Sequence, residues 1–407
     1  MKPPVLMIAY ACNPEGTGEH WLGWGWAELA AQKYSVHLLT TIKAREAIAR
    51  HAPTHGIQAH FLPLSDRLRA LTIPFGSLGA WVRKLVWAAR AAELAEQLHA
   101  QEKFVLVHQT TFHTFRIPFL ATRLGIPSVW GPLAGGEHIP SGFSKFIGPA
   151  MLSETIRRGF NRLWLGLPVI QRTLARTSVI FASNRTTKDF LGEKFAGKCV
   201  VVPPNAMRPE DEQKPATVRA GGDLIFRLIY VGNVVGTRAL PLAFAALART
   251  KMTDWELVII GNGSGRKFWQ RAARRYRVTD KVKFLGQIPH SELAQHYAAA
   301  DLLVFPALRD SGGSALLEAM SKGLPVLCLD WGGPGEMVDA ASGVKIPITT
   351  PAQTLQAFAD ALVQLRHDPE LRRRLGAAAA RRARAHFTWA AKRRRLEETY
   401  HRLLTVP

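Results

Sequence analysis

Residues 302–329 read LLVFPALRDSGGSALLEAMSKGLPVLCL. A short apolar run is followed by a turn of small and polar residues, a helical pattern from about Ser314, and a second apolar run. This order predicts a buried strand, a loop, a helix and a parallel strand, which is the repeating unit of an α/β sheet. The start of such a helix presents unpaired N–H groups, so the loop can hold a phosphate or an oxygen-rich ligand.

The same alternation continues on both sides and forms two series. In the first series, apolar runs predict strands at Val5–Tyr10, Ser35–Thr41, Gln58–Leu62, Phe104–Val107, Pro127–Trp130, Val179–Ala182 and Cys199–Val202. In the second series, they predict strands at Leu224–Val231, Glu256–Ile260, Val282–Leu285, Leu302–Phe305 and Val326–Leu329. Helical patterns lie between the strands, notably at Leu78–His99 and Leu152–Ala175, and a last helix covers about residues 389–404. Two such series in tandem favour two Rossmann-like α/β domains with parallel sheets.

The length of the chain agrees with two domains. One hydrophobic core rarely organises as many as 407 residues. A stretch rich in proline, glycine and charge separates the two series. We therefore predict an N-terminal domain at residues 1–205, a linker at 206–222, a C-terminal domain at 223–386 and a closing segment at 387–407.

The composition excludes several classes of protein. A hydrophobic fraction of 47% excludes a disordered chain, and the three cysteines are too far apart in sequence for a disulfide framework or a cysteine zinc site. No apolar run reaches the ~18 residues of a membrane-spanning helix. Val5–Tyr10 resembles a weak signal-peptide core, but a first buried strand suits it better because a glycine-containing loop follows directly. We expect a cytoplasmic protein.

The charge of the chain is unusual, because 53 Lys and Arg against 31 Asp and Glu give a formal net charge of +22. Such an excess favours nucleic acid, an anionic membrane surface or phosphate-bearing substrates as partners. The candidate helix Leu152–Ala175 combines apolar residues at helical spacing with neighbouring arginines: Phe160, Leu163, Trp164, Leu167, Arg157, Arg158 and Arg162. Two interpretations stay open, peripheral docking on the inner face of the plasma membrane and a domain helix with solvated arginines.

Two acids flank the loop of the opening stretch. Asp310 precedes the helix and Glu318 lies inside it, eight positions later, so both can face one ligand. Two interpretations stay open here as well: the acids contact a ligand, or Asp310 and Ser311 cap the helix and Glu318 is a buried structural acid. Two more loops follow strands and contain glycine, at residues 232–238 and 261–265, although glycine also serves turns and close packing.

Together, in this order, these motifs resemble the C-terminal half of family-4 retaining glycosyltransferases of the GT-B fold. The family's E-x7-E motif corresponds to Asp310-x7-Glu318, its G-x-P-V strand to residues 323–326, and its G-G-x-x-E-like turn to residues 332–336. The resemblance covers about residues 222–345. It implies the GT-B fold, with two Rossmann-like α/β domains facing a central cleft and a C-terminal helix that packs back on the N-terminal domain.

The resemblance implies a role for each matching residue. Glu318 would bind the ribose hydroxyls of the nucleotide, Asp310 the hydroxyls of the transferred sugar, and the loop amides the donor phosphate. Arg238 occupies the position of the family's diphosphate-binding lysine. The chain departs from the family twice, because the first motif acid is Asp and the family's second cation falls on Asn233. The residues predicted to bind substrate in this half are Gly232, Asn233, Gly261, Gly263, Ile288, Ser311, Gly312, Gly313 and Ser314.

The N-terminal half contributes further candidates. The loop with Gly16 and Gly18 resembles the family's glycine loop near the donor phosphate and the acceptor, with a plain strand-to-helix turn as the alternative. His108 ends a strand and is a substrate-binding candidate, with a structural histidine as the alternative. A glycine-rich loop at residues 131–138 replaces the pattern that usually precedes the family's catalytic-site histidine, as in a subgroup of bacterial polysaccharide-building transferases. The candidates in this loop are Gly135, Gly136, Glu137 and His138.

These features predict a retaining glycosyltransferase that moves a hexosyl unit from a UDP- or GDP-linked sugar to a glycan or lipid-linked acceptor in cell-surface polysaccharide synthesis. The predicted catalytic residues are Arg238, Asp310, Glu318 and His138. No metal or other cofactor is expected, because neither glycine loop contains a D-x-D motif and Arg238 can supply positive charge. Two other classes stay open: a nucleic-acid-binding protein on a degenerate transferase fold, although no such binding motif is recognisable, and an epimerase or phosphorylase of the same fold.

Overall fold

The computed structural model describes residues 2–207 and 225–405, and the chain divides into two compact units. The first unit contains Met1–Gly136, Phe160–Pro204 and Trp389–Pro407, and the second contains Glu137–Gly159 and Asn205–Thr388. Of the predicted linker at 206–222, all but the first two residues lie outside the described part of the chain.

The first unit is built on a parallel sheet of seven strands in the order β3-β2-β1-β4-β5-β6-β7. Its strands are β1 (Pro4–Ala9), β2 (Ser35–Thr40), β3 (Ile57–Phe61), β4 (Leu106–Gln109), β5 (Ser128–Leu133), β6 (Val179–Ala182) and β7 (Cys199–Val201). The helices up to residue 207 are α1 (Glu19–Ala31), α2 (Arg45–His51), α3 (Asp66–Thr72), α4 (Gly76–Glu102), α5 (Ser144–Ile147), α6 (Ala150–Leu165), α7 (Pro168–Arg176), α8 (Arg185–Leu191) and α9 (Glu193–Ala196).

The second unit has a parallel sheet of six strands in the order β10-β9-β8-β11-β12-β13. Its strands are β8 (Phe226–Val231), β9 (Trp255–Ile260), β10 (Val282–Gly286), β11 (Leu302–Phe305), β12 (Val326–Leu329) and β13 (Gly343–Ile346). The helices from residue 225 on are α10 (Leu240–Arg249), α11 (Arg266–Arg275), α12 (His290–Ala299), α13 (Ser314–Ser321), α14 (Gly332–Met337), α15 (Pro351–His367), α16 (Pro369–His386) and α17 (Trp389–Thr405). The two parallel α/β sheets predicted from the sequence are confirmed.

The apolar runs locate the strands well because parallel strands are covered on both faces and need apolar side chains throughout. Every residue of β11 and β12 is buried, and the two strands pair in parallel from Leu303 with Val326 onward. The edge strand β13 was not predicted. It pairs with β12, but its sequence Gly-Val-Lys-Ile is short and half of it is only partly buried, so it gives no apolar run.

The single helix predicted at Leu152–Ala175 is wrong. The structure has two helices there, α6 and α7, separated at Gly166 and Leu167. Pro168 is the first residue of α7, where its missing N–H and fixed φ are tolerated, whereas inside a helix it would clash with the preceding turn. The apolar spacing continued across this break and concealed it.

Residues 137–159 belong to the second unit, although the sequence placed them in the N-terminal domain. Their apolar side chains at Ile139, Phe143, Phe146 and Ile147 are buried in the core of the second unit. Gly236 of that unit lies so close that a Cβ there would come within 2.4 Å of the Ile147 carbonyl oxygen. The division therefore follows tertiary packing, which local sequence patterns do not show.

The last helix, α17, packs on the first unit, as expected. Trp389 packs against Trp21 with ring centroids 5.1 Å apart, and a Cβ at Gly25 would come within 2.2 Å of the Trp389 ring. Leu396 and Tyr400 of the same helix are fully buried. In the described ranges, 2–207 and 225–405, no helix is both long and apolar enough to span a membrane.

Helix α17 also buries a lysine. The Lys392 ammonium donates to the Pro203 carbonyl oxygen and lies 5.5 Å from the centre of the Trp26 ring. Burial lowers the pKa of Lys392 to about 7. Burial also lowers the pKa of the neighbouring His113, which is therefore neutral above pH 7. Lys392 is thus the group of this cluster whose charge differs between the folded and the unfolded chain from pH 7 to 10.

Lys392 should make the free energy of unfolding depend on pH. Its folded pKa lies below the unfolded value of about 10.4, so between pH 7 and 10 the unfolded chain binds one more proton. Stability should therefore fall by up to about 1.4 kcal/mol per pH unit as the pH drops through this window. Lys392→Met should remove this slope in urea unfolding between pH 7.5 and 9, whereas Lys33→Met, at an exposed lysine, should keep it. Parallel curves for Lys392→Met and the unmodified protein would contradict the assignment.

Candidate functional site

The candidate site lies at the point of the second sheet where the strand order reverses. Strands β8 and β11 are neighbours at the centre of the sheet. From β8 the chain continues to β9 towards one edge, and from β11 it continues to β12 towards the other edge. Ligands of open α/β sheets bind in the crevice at such a switch point. The loop after β8 carries Asn233 and Arg238, and the loop after β11 carries Arg309 and Asp310.

Backbone hydrogen bonds join these two loops. The Thr237 carbonyl oxygen accepts from the amides of Leu308 and Arg309 at 3.1 and 3.2 Å. The side chain of Arg238 extends along the same path, where its Nη1 donates to the Arg309 carbonyl oxygen at 3.2 Å and forms an ion pair with Asp310. Its guanidinium carbon also lies 5.8 Å from the centre of the Phe305 ring. Arg238 is thus held in one orientation before any ligand arrives.

Asp310 is buried and organises its own loop. Its Oδ1 accepts from the amides of both Gly312 and Gly313 at 2.9 Å, and its Oδ2 faces Arg238. The carboxylate therefore closes the turn that opens α13, which favours the capping interpretation of Asp310. The two amides that the resemblance assigns to the donor phosphate donate to Asp310 in this structure.

The glycines after β8 and β9 allow two backbones to lie in contact. A Cβ at Gly261 would come within 2.0 Å of the Gly232 carbonyl oxygen, and one at Gly263 within 2.4 Å of the Val234 carbonyl oxygen. Both Gly261 and Gly263 have positive φ, at 131° and 158°. These contacts favour close packing as the role of Gly261 and Gly263. They hold the β8 loop, with Asn233 exposed at its tip, in a fixed position.

Glu318 lies on α13, half-buried against α12. The hydroxyl of the buried Tyr297 lies 3.2 Å from Glu318 Oε2 and 3.2 Å from the Ala315 carbonyl oxygen. This tyrosine fixes one carboxylate oxygen of Glu318. Tyr297 was not predicted from the sequence, because its contact with Glu318 depends on the packing of α12 against α13.

A network of charged side chains connects residues 137–159 to the site. The buried Glu154 carboxylate binds Arg309 through Oε1 at 3.1 Å and Arg157 through Oε2 at 2.8 Å, and Arg157 also donates to the Glu137 carbonyl oxygen. Burial, together with the neighbouring Arg157 charge, lowers the pKa of Arg309. Arg309 was not predicted, although it directly precedes Asp310. It places a second arginine close to Arg238.

His138 lies against another loop of the second unit. Its ring packs edge-on against Trp331, with centroids 5.1 Å apart, and its carbonyl oxygen accepts from Trp331 Nε1 at 3.0 Å. Trp331 follows β12, and Gly333, two residues later, donates its amide to the Asp310 carbonyl oxygen at 2.8 Å. His138 is thus connected to Asp310 through the loop that carries Trp331 and Gly333, and all of these residues belong to the second unit.

Residues 211–382, which form most of this unit, match the family model described as Glycosyl transferases group 1. The chain carries a group 1 glycosyltransferase domain. Its D-inositol 3-phosphate glycosyltransferase relative from Corynebacterium diphtheriae is 34% identical over 38% of this chain and 36% of its own length. The same-named relative from Kineococcus radiotolerans is 28% identical over 76% of this chain and 74% of its own length. The matched stretch thus spans little more than a third of the first relative.

Solved structures that align with the chain confirm the GT-B fold. Sucrose-phosphate synthase from Thermosynechococcus elongatus aligns with a TM-score of 0.64 and 18% identity, over 99% of both chains. Anabaena HepE in complex with UDP-glucose aligns with a TM-score of 0.57 and 16% identity, over 98% of this chain and 99% of its own. At such identities the likeness establishes the fold alone.

In the first unit, the predicted glycines lie in loops. Gly18, with a φ of 57°, ends the β1–α1 loop, and the following Glu19 accepts from the Phe112 amide at 2.9 Å. Gly135 also has positive φ, and a Cβ at Gly136 would come within 2.7 Å of Thr187 Cα. The division between the units falls directly after Gly136, so Glu137 and His138 belong to the second unit. Gly16 donates its amide to the Asn13 carbonyl oxygen at 3.1 Å.

His108 is fully buried in the first unit, which favours its structural interpretation. One ring nitrogen lies 2.8 Å from the Tyr400 hydroxyl and the other 2.9 Å from the Gly131 carbonyl oxygen. Burial lowers the pKa of His108 to about 4, so the ring is neutral at pH 7. His108 therefore links β4 to the last helix, α17.

The remaining candidates lie around α12 and α13. Ser311 is half-buried and Ser314 is exposed at the start of α13. Ile288 is half-buried and packs on the core of the second unit in the segment before α12. Tyr230 was not predicted, but it holds the loop after β8 in place, since its hydroxyl donates to the Asn233 carbonyl oxygen at 2.9 Å. Burial raises the pKa of this hydroxyl.

Proposed function

We propose that the protein transfers a hexosyl unit from a nucleoside diphosphate sugar to a hydroxyl acceptor, with retention of configuration at the sugar. The observation that carries the proposal is the preorganised pair of Arg238 and Asp310 at the sheet switch point of the group 1 domain. The names of the relatives and the UDP-glucose bound to a protein of the same fold support a nucleotide-sugar donor, with UDP as the first base to test.

Arg238 and Arg309 are the proposed cations for the donor diphosphate. As the glycosidic bond breaks, negative charge grows on the leaving phosphate oxygen, and fixed cations aimed at that oxygen lower the barrier. The contacts of Arg238 with Asp310 and the Arg309 carbonyl both use Nη1, and a guanidinium has further N–H donors for phosphate. Arg309 offers the second charge that the family has at the position of Asn233. The proposal needs no metal ion, because these arginines supply the positive charge.

The roles of the two acids follow from their contacts. Glu318, fixed by Tyr297, is the proposed ligand of the ribose hydroxyls. Asp310 is proposed to position Arg238 and the α13 turn, and to reach the hydroxyls of the sugar once a donor displaces part of its contacts. No covalent nucleophile is required if the acceptor attacks from the face that the diphosphate leaves, so the departing phosphate takes the acceptor proton. His138 remains a proposed catalytic residue beside this centre.

A panel of UDP, GDP and ADP in a thermal-shift assay tests the donor site. A ligand that binds only the folded protein stabilises it, by about 2.7 kcal/mol at one hundred times its dissociation constant. At least one nucleoside diphosphate should raise Tm, and Glu318→Gln should reduce that shift because the ribose loses its acceptor. Glu292→Gln, at an exposed acid on α12, should keep the shift. If no nucleotide raises Tm, or if Glu318→Gln behaves like the control, the donor site is assigned wrongly.

The cations are tested by steady-state kinetics with the nucleotide sugar selected by that panel. Arg238→Ala should lower kcat by about 10²–10³-fold, the usual effect of losing one preorganised donor, while the donor KM changes less. Arg238→Lys should recover part of the loss, and Arg309→Ala should also lower kcat. Arg274→Ala, at an exposed arginine of α11, serves as the control. Near-normal kcat in a correctly folded Arg238→Ala variant would move the diphosphate site elsewhere.

We further propose that the protein works in the cytoplasm at the inner face of the plasma membrane, on a glycan or lipid-linked acceptor of cell-surface polysaccharide synthesis. Helix α6 supports this location, since Leu152, Ile156 and Leu163 are exposed on it together with Arg158 and Arg162. Trp164 does not share that exposure, because its indole N–H donates to the Arg116 carbonyl oxygen at 2.8 Å.

Vesicle sedimentation tests this location. At low salt the protein should bind phosphatidylcholine vesicles containing phosphatidylglycerol more strongly than pure phosphatidylcholine, because each arginine near an anionic surface contributes about 1 kcal/mol. Replacing Leu152, Ile156 and Leu163 together by Ser should weaken the binding to both vesicle types. Equal sedimentation with both lipids, or no effect of the triple replacement, would refute docking through α6.

A further inference from the structure

The first unit contains a groove that lies outside the candidate site described above. It has a volume of about 460 Å³ and lies where the loops after β1, β2 and β3 face α3 and α4. Tyr10 follows β1, Thr41 and Lys43 follow β2, and Leu64 follows β3. The groove is therefore at the carboxyl ends of parallel strands, the edge at which α/β sheets bind their ligands.

Cations from three separate elements converge on this groove: Lys43 after β2, Arg69 on α3 and Arg83 on α4. Arg83 is oriented by a hydrogen bond from its Nη1 to Thr72 Oγ1 at 2.7 Å. A fourth cation, Lys84, lies with its Nζ 5.9 Å from the centre of the Tyr10 ring. Basic side chains from distant parts of the chain thus surround one half-buried tyrosine.

Little negative charge offsets these cations. The carboxylate that lines the groove is Asp66, whose Oδ1 is 3.8 Å from Arg69 Nη1, and its side chain is 99% exposed. Water screens such an exposed ion pair, so it neutralises Arg69 only weakly. Burial raises the pKa of Tyr10, the charges of Arg83 and Arg69 partly offset that rise, and the charge of Glu19, which does not line the groove, adds to it. The groove is therefore suited to an anion, and arginine in particular matches the paired oxygens of a phosphate.

The rim of the groove is apolar and exposed. Ile42 and Ile73 line the groove itself and are exposed. The stretch from α3 into α4 exposes Leu71, Phe75 and Leu78 as well, each to more than half of its full area. A continuous exposed apolar stretch of this kind marks a binding surface. A small soluble phosphate would leave this rim in water, whereas the chain of a lipid would cover it.

We propose that this groove binds the acceptor, and that the acceptor is a lipid whose phosphate ester lies between Lys43, Arg69 and Arg83 while its apolar chain covers the rim at residues 71–78. That the bound lipid is the acceptor of the reaction rests on the proposed function. That the ligand is a phosphate-bearing lipid rests on the groove alone. It adds the chemistry of the acceptor to a reaction for which the donor site is in the other unit.

The test measures direct binding of two probes by titration calorimetry, without donor or turnover. Dihexanoyl phosphatidic acid, kept below its micellar concentration, combines a phosphate monoester with short chains, and glycerol 3-phosphate carries the phosphate alone. The lipid should bind more tightly than glycerol 3-phosphate. Arg69→Gln and Arg83→Gln should each weaken both probes by about tenfold, the usual loss for one hydrogen bond to a charged group. Arg172→Gln, at an exposed arginine on α7, should bind both probes like the unmodified protein.

A second pair of variants separates the groove from other sites. Ile73→Ser combined with Phe75→Ser should reduce the affinity for phosphatidic acid towards that for glycerol 3-phosphate and leave glycerol 3-phosphate unchanged. Both side chains are exposed, so the fold should tolerate these replacements. Arg238→Ala should bind both probes normally, because the donor diphosphate site lies in the other unit.

Each outcome has a definite meaning. Equal affinity for the two probes would overturn the lipid, and normal binding by Arg69→Gln and Arg83→Gln would overturn the groove. Loss of binding in Arg238→Ala would assign the phosphate to the donor site and overturn the inference too. If phosphatidic acid fails to bind while nucleotides still raise Tm, this inference alone is wrong; if only the nucleotides fail, the proposed function alone is wrong.

Discussion

The buried carboxylate of Asp310 connects the two loops that form the candidate site of the second unit. It accepts two backbone amides from its own turn through one oxygen and faces Arg238 through the other. The backbone bonds from Thr237 to Leu308 and Arg309 then align the two loops at the sheet switch point. A buried carboxylate without such partners would be costly, and the partly buried Arg238 would also lose stability without its counterion. The loops can therefore keep their positions only as a pair, and this pairing fixes Arg238 before a ligand binds.

The segment at residues 137–159 supports the same centre from a different part of the sequence. Its apolar side chains anchor it in the core of the second unit, which leaves Glu154 in place to bind Arg309 and Arg157. The site thus depends on the core in a direct way, because the packing of Phe143 and Phe146 positions a charge that orients an arginine. A change in that apolar contact should alter the electrostatics of the site without touching a ligand.

The sequence predicted most of the sheets, because strands buried on both faces must be apolar throughout and the glycine loops follow their ends. It missed strand β13, because this strand is short and contains a lysine, so it forms no apolar run. It also missed the break before Pro168, because the apolar spacing continues across that break. The family resemblance singled out Asp310, Glu318 and Arg238 as candidates, and the structure gives the contacts of each. The sequence missed Arg309, Glu154 and Tyr297, because these meet only through contacts between residues far apart in the chain. The sequence left two interpretations of His108 open, and the structure favours the structural one because both ring nitrogens have partners inside the protein.

The excess of positive charge shows why placement matters more than number. Several basic residues near the end of the chain serve the fold: Arg366 pairs with Asp254, Arg382 pairs with Asp339, and Lys392 is buried. Arg238 and Arg309 are likewise compensated by Asp310 and Glu154. The arginines and lysines around Tyr10 differ from these, since Asp66, the acid that lines their groove, is almost fully exposed and screened by water. An anion gains most where cations converge without a buried counterion. Positive charge without a buried counterion at the end of a parallel sheet, beside an exposed apolar stretch, therefore indicates a partner that is both anionic and apolar. The net charge of the chain alone does not indicate such a partner.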